Sequence, residues 1–439
     1  MSSAAIPSAA GLDAGRPVSK APERIPKMVV AASVAGNALE FYDFVTYAFF
    51  AVYIGKAFFP ASTPMGSLLL SVAVFGVGFV ARPIGGVLIG AFADRAGRKP
   101  AMMLTIALIT VGTLGLALTP SYDSIGMAAP LIIVACRLVQ GLALGGEVGP
   151  ATAFLVEAAP PEQRALYASW QLASQGVATL IAGIFGVVII GLLPAEQVQA
   201  WGWRLPFIVG LLLVPVAIYL RRNMPETLHA PAAGSQSAQG LKALGRYKGV
   251  LVLAVLIVLG GTVSTYVGSY MTTYAITTLH FPPATAMAAT VMVGVSTLVF
   301  ALFGGWLADR YGRKPIMLWP RVATAVLTVP LFLYLIGNPS ITVLLAVTGL
   351  LAALTAVSGG ASFVAIPELL PRGIRATGMS IAYAIGVSLF GGTTQFIITW
   401  LLQTTNNPAA PAWYVAVTSV ITALAMMAVP ETHQRELED

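Results

Sequence analysis

Charged residues are scarce in this chain of 439 residues, because Asp, Glu, Lys and Arg together make up only 9%. A soluble globular protein carries about 25%. Cysteine occurs once, at Cys136, so the chain cannot form a disulfide with itself and gives no clue to its redox compartment. No glycine-rich phosphate loop ending in Lys-Ser or Lys-Thr is present, which argues against ATP as a direct energy source. His229, His280 and His433 lie far apart in connecting or terminal segments, so we expect no metal site, no cofactor and no enzyme active site.

Apolar residues take the place of the missing charges. They make up 57% of the chain, and the mean hydropathy is +0.84. Runs of about 20 apolar residues recur along the chain, each long enough to cross about 30 Å of hydrocarbon. Backbone polar groups in lipid must be paired within the protein, so these runs are interpreted as helices. The sequence therefore predicts an all-α membrane protein.

The apolar runs fall into two sets of six, which gives twelve predicted transmembrane helices in two six-helix bundles. The first bundle, residues 28–221, has its spans at 28–55, 66–93, 101–119, 127–157, 165–193 and 203–221. The second bundle, residues 249–430, has its spans at 249–278, 285–308, 316–336, 341–367, 375–403 and 411–430. Residues 222–248 are predicted to form a cytoplasmic linker, residues 1–27 a disordered cytoplasmic tail, and residues 431–439 a second cytoplasmic tail.

The basic residues set the orientation of this topology. The net charge of +7 arises mainly from Lys and Arg in the short turns that share a side with the N-terminal tail. The opposite turns carry little more than Lys56 and Arg204. Positively charged loops stay in the cytoplasm, so both termini are predicted to be cytoplasmic. The same distribution suits a lipid bilayer as partner better than nucleic acid.

The turn after the second span is repeated half a chain later. The sequence GAFADRAGRKP at residues 90–100 returns as GWLADRYGRKP at residues 305–315, an offset of 215 residues. Glu157 and Glu368 each stand seven residues before an arginine, Arg164 and Arg375 respectively. The sequence PET ends an apolar run in each half, at residues 225–227 and 430–432. Three such features in the same order indicate an internal duplication, which is typical of secondary transporters.

Ionisable residues within the spans are candidates for function, because they are costly in a membrane. Glu40 and Asp43 are three residues apart and share one face of the first helix. Asn37 and Tyr42 lie nearby and are candidates to bind substrate. Arg137 in the fourth span is predicted at a similar depth. One carboxylate would carry a proton while Arg137 is engaged either by that carboxylate or by substrate. A buried ion pair that only fixes helix packing is the alternative.

Other polar residues within the spans have two interpretations each. Arg82 is either an anion ligand or gate, or a partner for a neighbouring helix end. Arg321 and Glu147 are interpreted as structural, and Arg321 lies close enough to the end of its span for its side chain to reach the membrane surface. Polar and aromatic residues of later spans either bind substrate or join helices by hydrogen bonds; they include Gln171, Gln175, Tyr266, Tyr270 and Gln395.

At these residues the chain resembles the major facilitator superfamily. The repeated turn is similar to the conserved turn between the second and third helices of each half, and RLVQG at 137–141 resembles a fourth-helix motif associated with proton coupling. The resemblance implies alternating access between two bundles around a site near the middle of the membrane. It implies a gating role for the turn residues and the charge network, which are Asp94, Arg95, Gly97, Arg98, Glu157, Arg164, Asp309, Arg310, Arg313, Glu368 and Arg375.

Within the superfamily, GNALEFYDF at residues 36–44 resembles the first-helix signature of the metabolite:H⁺ symporters. The segments FFPAS (58–62), RPIG (82–85) and PSY (120–122) are most similar to the citrate and tricarballylate branch. The resemblance implies a monomer in a bacterial inner membrane that imports a small organic anion, such as a di- or tricarboxylate, with protons. A zwitterion such as proline or betaine, or shikimate or an aromatic acid, is the alternative substrate. A membrane enzyme and a sensing receptor remain as other classes.

Overall fold

The architecture is given by a computed structural model that describes residues 27–96, 98–145, 152, 155–156, 159–222 and 245–433. The regular structure in these ranges is helical. The helices of the first half are α1 (Lys27–Phe49), α2 (Ala51–Phe58), α3 (Pro64–Ala96), α4 (Arg98–Leu118), α5 (Tyr122–Ile125), α6 (Ala128–Leu144), α7 (Arg164–Leu192), α8 (Ala195–Ala200) and α9 (Leu205–Arg222). Those of the second half are α10 (Lys248–Thr277), α11 (Pro283–Tyr311), α12 (Arg313–Gly337), α13 (Ile341–Glu368), α14 (Arg372–Gly386), α15 (Gly392–Thr405) and α16 (Ala410–Ala428).

Eight helical segments among these residues are long and apolar enough to cross a membrane, and three shorter apolar helices accompany them. Two predicted spans differ from the structure in detail. The first, 28–55, is divided at Phe50 into α1 and α2. The eleventh, 375–403, is interrupted by a π-helical turn, Val387–Gly391, between α14 and α15. Much of the predicted span 127–157 beyond α6 lies outside the described residues. The count of twelve crossings stays a prediction.

The duplicated turn needs glycine for a conformational reason. Gly312 separates α11 from α12 and has a φ of 101°, a conformation that glycine adopts far more readily than other residues. Its counterpart in the first copy, Gly97, lies outside the described residues. The sharp reversal at Gly312 places Asp309 and Arg313 next to each other at one end of the molecule, where a pair of their side-chain atoms lies 3.2 Å apart.

Small residues bring the two halves into direct contact. Among the described helices, α7 of the first half and α11 of the second form the most extensive pairing. A Cβ atom added to Gly176 would lie 2.5 Å from the backbone nitrogen of Leu298. Small residues at such an interface let helix backbones approach closely in a membrane, where dispersion contacts take the place of the hydrophobic effect between helices.

We expect the substitution Gly176→Ala to lower the melting temperature of the purified protein, because the added methyl group would meet backbone atoms that have no free rotation. Forcing a group into a packed interior costs about 1–3 kcal/mol. Gly191→Ala is a matched control, since it lies on the same helix and a Cβ atom there would meet nothing within 4 Å. Equal melting temperatures for the two variants would contradict the close approach of α7 and α11.

Candidate functional site

Asp43 and Arg137 are brought together, as the sequence suggests, but a third residue stands between them. Both are buried, with 5% and 1% of their surface exposed. Arg137 donates from Nη1 to Gln140 Oε1 at 2.9 Å, and the Gln140 amide nitrogen donates to Asp43 Oδ2 and, at 3.2 Å, to Thr113 Oγ1. In the described part of the chain the carboxylate and the guanidinium are therefore linked through the amide of Gln140 rather than by a direct ion pair.

Gln140 is not among the residues predicted from the sequence to form the site, although its spacing from Arg137 could have indicated it. Gln140 follows Arg137 by three residues, which places both side chains on one face of α6. Helix α4 approaches that face closely, because a Cβ atom on Gly112 would lie 2.5 Å from Gln140 Cγ. The close approach holds the amide against Thr113 of α4 and Asp43 of α1. Gln140 is thus a positioning residue for both charged groups.

Aromatic rings surround the two buried arginines of the first half. The Arg137 guanidinium carbon lies 4.5 Å from the centroid of the Tyr47 ring and 5.0 Å from that of Phe44. Arg82, 5% exposed, lies 4.7 Å from the centroid of the same Phe44 ring and 4.1 Å from that of Phe79. Ring faces attract a cation without neutralising it. Both arginines therefore keep their positive charge available to an anion.

Several nitrogen atoms of these arginines have no hydrogen-bond partner among the described residues. They are Nε and Nη2 of Arg82 and Nε and Nη2 of Arg137, and Oδ1 of Asp43 is likewise without a partner. Buried polar groups are normally paired, so each exception needs an explanation. A substrate carboxylate would pair with the free donors, because a guanidinium matches a carboxylate in two-pronged geometry.

The other residues predicted to bind substrate divide into groups. Asn37 joins α1 to α7, donating to Gln171 O at 3.2 Å and accepting from the Gln171 amide at 3.1 Å. The Tyr42 hydroxyl donates to the Pro206 carbonyl at 2.9 Å. These contacts join helices, which for Gln171 is the second of the two interpretations offered from the sequence. Their part in substrate binding stays a prediction.

Two more of the predicted ligands lie in the second half. The Tyr270 hydroxyl accepts a hydrogen bond from Thr399 Oγ1 at 2.9 Å. Gln395 is fully buried, and neither atom of its amide has a hydrogen-bond partner among the described residues. Gln395 thus has the unsatisfied polar atoms that a ligand or a water molecule would pair, whereas Tyr270 is engaged within the protein.

A cavity of about 70 Å³ lies between α7, α10, α12, α13 and α14. Gln175 and Tyr266 line it, as does Arg321. A neighbouring cavity of about 20 Å³ is lined by Arg82, and both cavities share Tyr383. Neither cavity is lined by Asp43 or Arg137. The other predicted ligands that line neither cavity are Asn37, Tyr42, Gln171, Tyr270 and Gln395. No cluster of three or more His, Cys, Asp or Glu that could hold a metal ion is found among the residues described.

Arg321 does not reach the membrane surface, and the expectation from its place near the end of a span is wrong. Only 1% of its surface is exposed. Its Nη1 donates to Gly260 O at 3.0 Å and to Ser264 Oγ at 2.9 Å, both on α10. The side chain points inward because α12 turns this face towards α10, a rotation that the distance to the span end does not reveal.

The predicted gating residues of the second half form a network at the end of the molecule where α7 and α12 begin. Asp309 on α11 accepts hydrogen bonds from the backbone nitrogens of Ala165 and Leu166, both at 2.9 Å. These two nitrogens lie in the first turn of α7, whose N–H groups have no partner within the helix. The carboxylate from the second half thereby caps a helix of the first half.

Arg313 extends this network within the second half. It pairs with Asp309 at 3.2 Å and with Glu368 at 3.2 Å, and Glu368 also accepts a hydrogen bond from Thr432 at 2.6 Å. Arg375 donates to the Pro367 carbonyl at 3.0 Å. The sequence places Glu368 and Arg375 in one charge network, and within it the structure pairs Glu368 with Arg313.

Two further predicted gating residues lie beside this network. The Arg310 guanidinium stacks 5.7 Å from the centroid of the Trp306 ring. Arg164 lies within electrostatic range of Glu368 and Arg313. Predicted residues that fall outside the described part are Gly97 and Glu157, together with the side chains of Glu40, Asp94, Arg95 and Arg98.

A second carboxylate caps α12 from the segment that follows α16. Glu431 accepts hydrogen bonds from the backbone nitrogens of Arg313 at 2.9 Å and Lys314 at 3.0 Å, and also from those of Thr432 and His433. Burial raises the pKa of Glu431, but the four N–H donors outweigh burial and hold the pKa below its usual value. The ionised form is therefore the one that binds this helix end.

We expect Asp309→Asn to lower the melting temperature, because one carboxylate oxygen becomes an NH₂ group that cannot accept from a backbone N–H. Hydrogen bonds to a charged group contribute about 1.5–3 kcal/mol. Arg310→Gln is the control. Arg310 is the residue next to Asp309, and its side chain stacks on Trp306 and Tyr311. A melting temperature of Asp309→Asn equal to that of the wild type would contradict the capping of α7 by Asp309.

Comparisons with known proteins agree with this architecture. The family model described as "Sugar (and other) transporter" matches the chain twice, at residues 28–229 and 229–439. The xylose transporter XylE of E. coli, in a partially occluded inward-open conformation, has a TM-score of 0.76 and 20% identity. The alignment covers 94% of this chain and 99% of that chain. This likeness concerns the fold.

Two curated relatives cover nearly the whole chain. The citrate-proton symporter of Salmonella typhi is 33% identical over 403 residues, covering 90% of this chain and 92% of the relative. The glycine betaine/proline/ectoine/pipecolic acid transporter OusA of Dickeya dadantii is 32% identical over 430 residues, covering 94% of this chain and 85% of the relative. Since the family model covers both halves, the chain belongs to the sugar (and other) transporter family of the major facilitator superfamily, as a multi-pass transporter of the bacterial inner membrane rather than an enzyme.

Proposed function

We propose that the protein imports a small organic anion, a di- or tricarboxylate such as citrate, together with protons by alternating access. It would act as a monomer of twelve transmembrane helices in two bundles, 28–221 and 249–430, with both termini in the cytoplasm. The twofold match of the family model supports two equivalent halves. A relative named as a citrate-proton symporter supports the substrate class and the coupling to protons.

The observation that carries the proposal is the surplus of buried positive charge. Arg82 and Arg137 both stack on Phe44, and Asp43 is the described carboxylate linked to this group. An unpaired buried charge is strongly unfavourable. An anionic substrate would supply the missing negative charge, whereas a neutral sugar would not.

Proton coupling would follow from competition for Arg137. While Gln140 holds Arg137 next to Asp43, the carboxylate has a cation nearby and stays ionised. A substrate carboxylate that binds Arg137 would draw the guanidinium and the amide away. A buried carboxylate without a cation is most stable in its protonated form. Binding of the anion and uptake of a proton by Asp43, with Glu40 as a second candidate, would then occur together.

The network around Asp309 is proposed as a gate. Its contacts with α7 join the two halves, so they must break when the halves separate at this end. The residues of the first copy, Asp94, Arg95, Gly97 and Arg98, are proposed to act in the same way. Glu157 and Arg375 would belong to the same charge network.

A zwitterion such as proline or betaine is the second candidate, and shikimate or an aromatic acid is a third. A relative named for betaine and proline transport covers 94% of the chain and supports the zwitterion. A quaternary ammonium group is usually bound by aromatic ring faces. Here Arg82 and Arg137 already occupy faces of Phe44, Tyr47 and Phe79, which favours the anion.

We expect citrate, tricarballylate or α-ketoglutarate to raise the melting temperature of the purified protein, and proline and betaine to leave it unchanged. A ligand that binds only the native state stabilises it by about 2.7 kcal/mol at 100 times its Kd. Uptake of the same radiolabelled compound into proteoliposomes, with and without an inward proton gradient, would then identify transport. Stabilisation and uptake of betaine or proline alone would overturn the anion.

We expect Asp43→Asn to abolish accumulation against a gradient while exchange of substrate across the membrane continues, because the amide cannot carry the proton. Uphill uptake and counterflow in proteoliposomes measure the two activities separately. Asp123→Asn is the control, since Asp123 is an exposed carboxylate in the short helix α5. Undiminished uphill uptake by Asp43→Asn would show that another group carries the proton.

A further inference from the structure

Arg321 is a buried cation that the function proposed above does not use. It lies eight residues into α12, about 12 Å along the helix, and it is 1% exposed. Its two hydrogen bonds are to neutral acceptors, the Gly260 carbonyl and the Ser264 hydroxyl. Its Nε has no hydrogen-bond partner among the described residues. A helix-joining arginine would be satisfied by partners within the protein, whereas this one keeps a free donor.

The free donor belongs to a residue that lines the larger cavity. Among the described side chains that line this cavity, Arg321 is the cation and no carboxylate is present. Gln175, from α7 of the first half, also lines this cavity, and its Nε2 likewise lacks a hydrogen-bond partner within the described chain. Gly261 leaves room beside the guanidinium, because a Cβ atom there would lie 3.7 Å from Arg321 Nη2. The cavity thus offers a buried cation and an amide donor, one from each half.

We propose that Arg321 and Gln175 form a second anion subsite, which binds one carboxylate of the substrate while Arg82 binds another. The inference rests on the proposed function and deepens it, because it makes the preferred substrate a molecule with at least two carboxylates. The cavity at Arg82 adjoins the cavity at Arg321, and both are lined by Tyr383 and Val387. A single small polycarboxylate would therefore span the two guanidinium groups.

This arrangement gives specificity through charge. A monocarboxylate would leave one of the two arginines buried without an anion, and a zwitterion would add a positive charge to a cavity whose described charge is already positive. Leaving a buried charge unpaired is costly. A polycarboxylate would satisfy both arginines and would also touch both halves, through Gln175 of α7 and Arg321 of α12.

The test measures binding of citrate to the full-length protein by the shift in melting temperature over a concentration series, and the KM of citrate uptake in proteoliposomes. Arg321→Gln removes the cation and keeps a hydrogen-bonding side chain. Arg321→Lys keeps the charge but loses the two-pronged geometry. Arg204→Gln is the matched control, because Arg204 likewise donates to two neutral acceptors, the carbonyls of Ala117 at 2.8 Å and Thr119 at 2.6 Å, and lines neither cavity.

We expect Arg321→Gln to weaken citrate binding and raise the KM at least about tenfold, as for the loss of a charged hydrogen bond. Arg321→Lys should fall between this variant and the wild type, and Arg204→Gln should bind citrate as the wild type does. The turnover number should change little. The melting temperature without citrate should fall, because Gln cannot replace both hydrogen bonds of Arg321 to α10, whereas a purely structural role would lower the melting temperature and leave citrate affinity alone.

The outcomes separate this inference from the proposed function. Uptake of citrate with unchanged affinity in Arg321→Gln would overturn the subsite and leave anion symport intact. Should Arg321→Gln fail to fold, unchanged citrate affinity in Arg321→Lys would overturn the subsite equally. A wild type that binds only a monocarboxylate would overturn the subsite and the di- or tricarboxylate, and would leave symport of an organic anion intact. Uptake of betaine or proline and of no carboxylate would overturn both.

Discussion

The burial of arginine is the constraint on which the rest of this structure depends. A guanidinium group removed from water must find hydrogen-bond acceptors, ring faces or an anion, because an unpaired buried charge is strongly unfavourable. Arg137 is held by Gln140 and by aromatic rings, Arg82 mainly by aromatic rings, and Arg321 by a carbonyl and a hydroxyl of α10. Each arrangement fixes the side chain without a direct ion pair among the described residues. This favours the binding of an anion that we propose.

Close helix packing makes these solutions possible. A Cβ atom on Gly112 would meet Gln140, and the absence of one at Gly261 leaves space beside Arg321. The same property lets α7 and α11 of opposite halves lie against each other at Gly176. Small residues permit such approach in a membrane. Glycine thus determines both how the halves contact each other and where the charged side chains have room.

At the end of the molecule near Asp309, the charged side chains bind helix ends. There the negative groups are carboxylates, and their partners are the N–H groups that open a helix. Asp309 caps α7 across the two halves, while Glu431 caps α12 within the second half. Contacts of this kind depend on backbone ends and tolerate few alternatives in geometry. They are strong when the helix end is in place and are lost when it moves away, which suits the gate that we propose.

The sequence by itself determined the class of the protein and its duplicated plan. Hydropathy predicts which segments form apolar helices, because backbone polar groups in lipid must be paired within the protein. The repeated turn marked the two halves, and the family model matches each half in turn. The sharing of one site by Asp43 and Arg137 followed from their depth along the helices, and the structure brings them together through Gln140.

Only the tertiary structure decided which side chains meet. The contacts of the buried charges depend on how each helix is rotated against its neighbours. Rotation places Gln140 between Asp43 and Arg137. It also turns Arg321 inward and pairs Glu368 with Arg313. Spacing along one helix gives the face a residue occupies, but not which helix lies opposite that face. That choice is made by packing of all the helices at once, and so the partners of the buried charges could not be derived from the sequence.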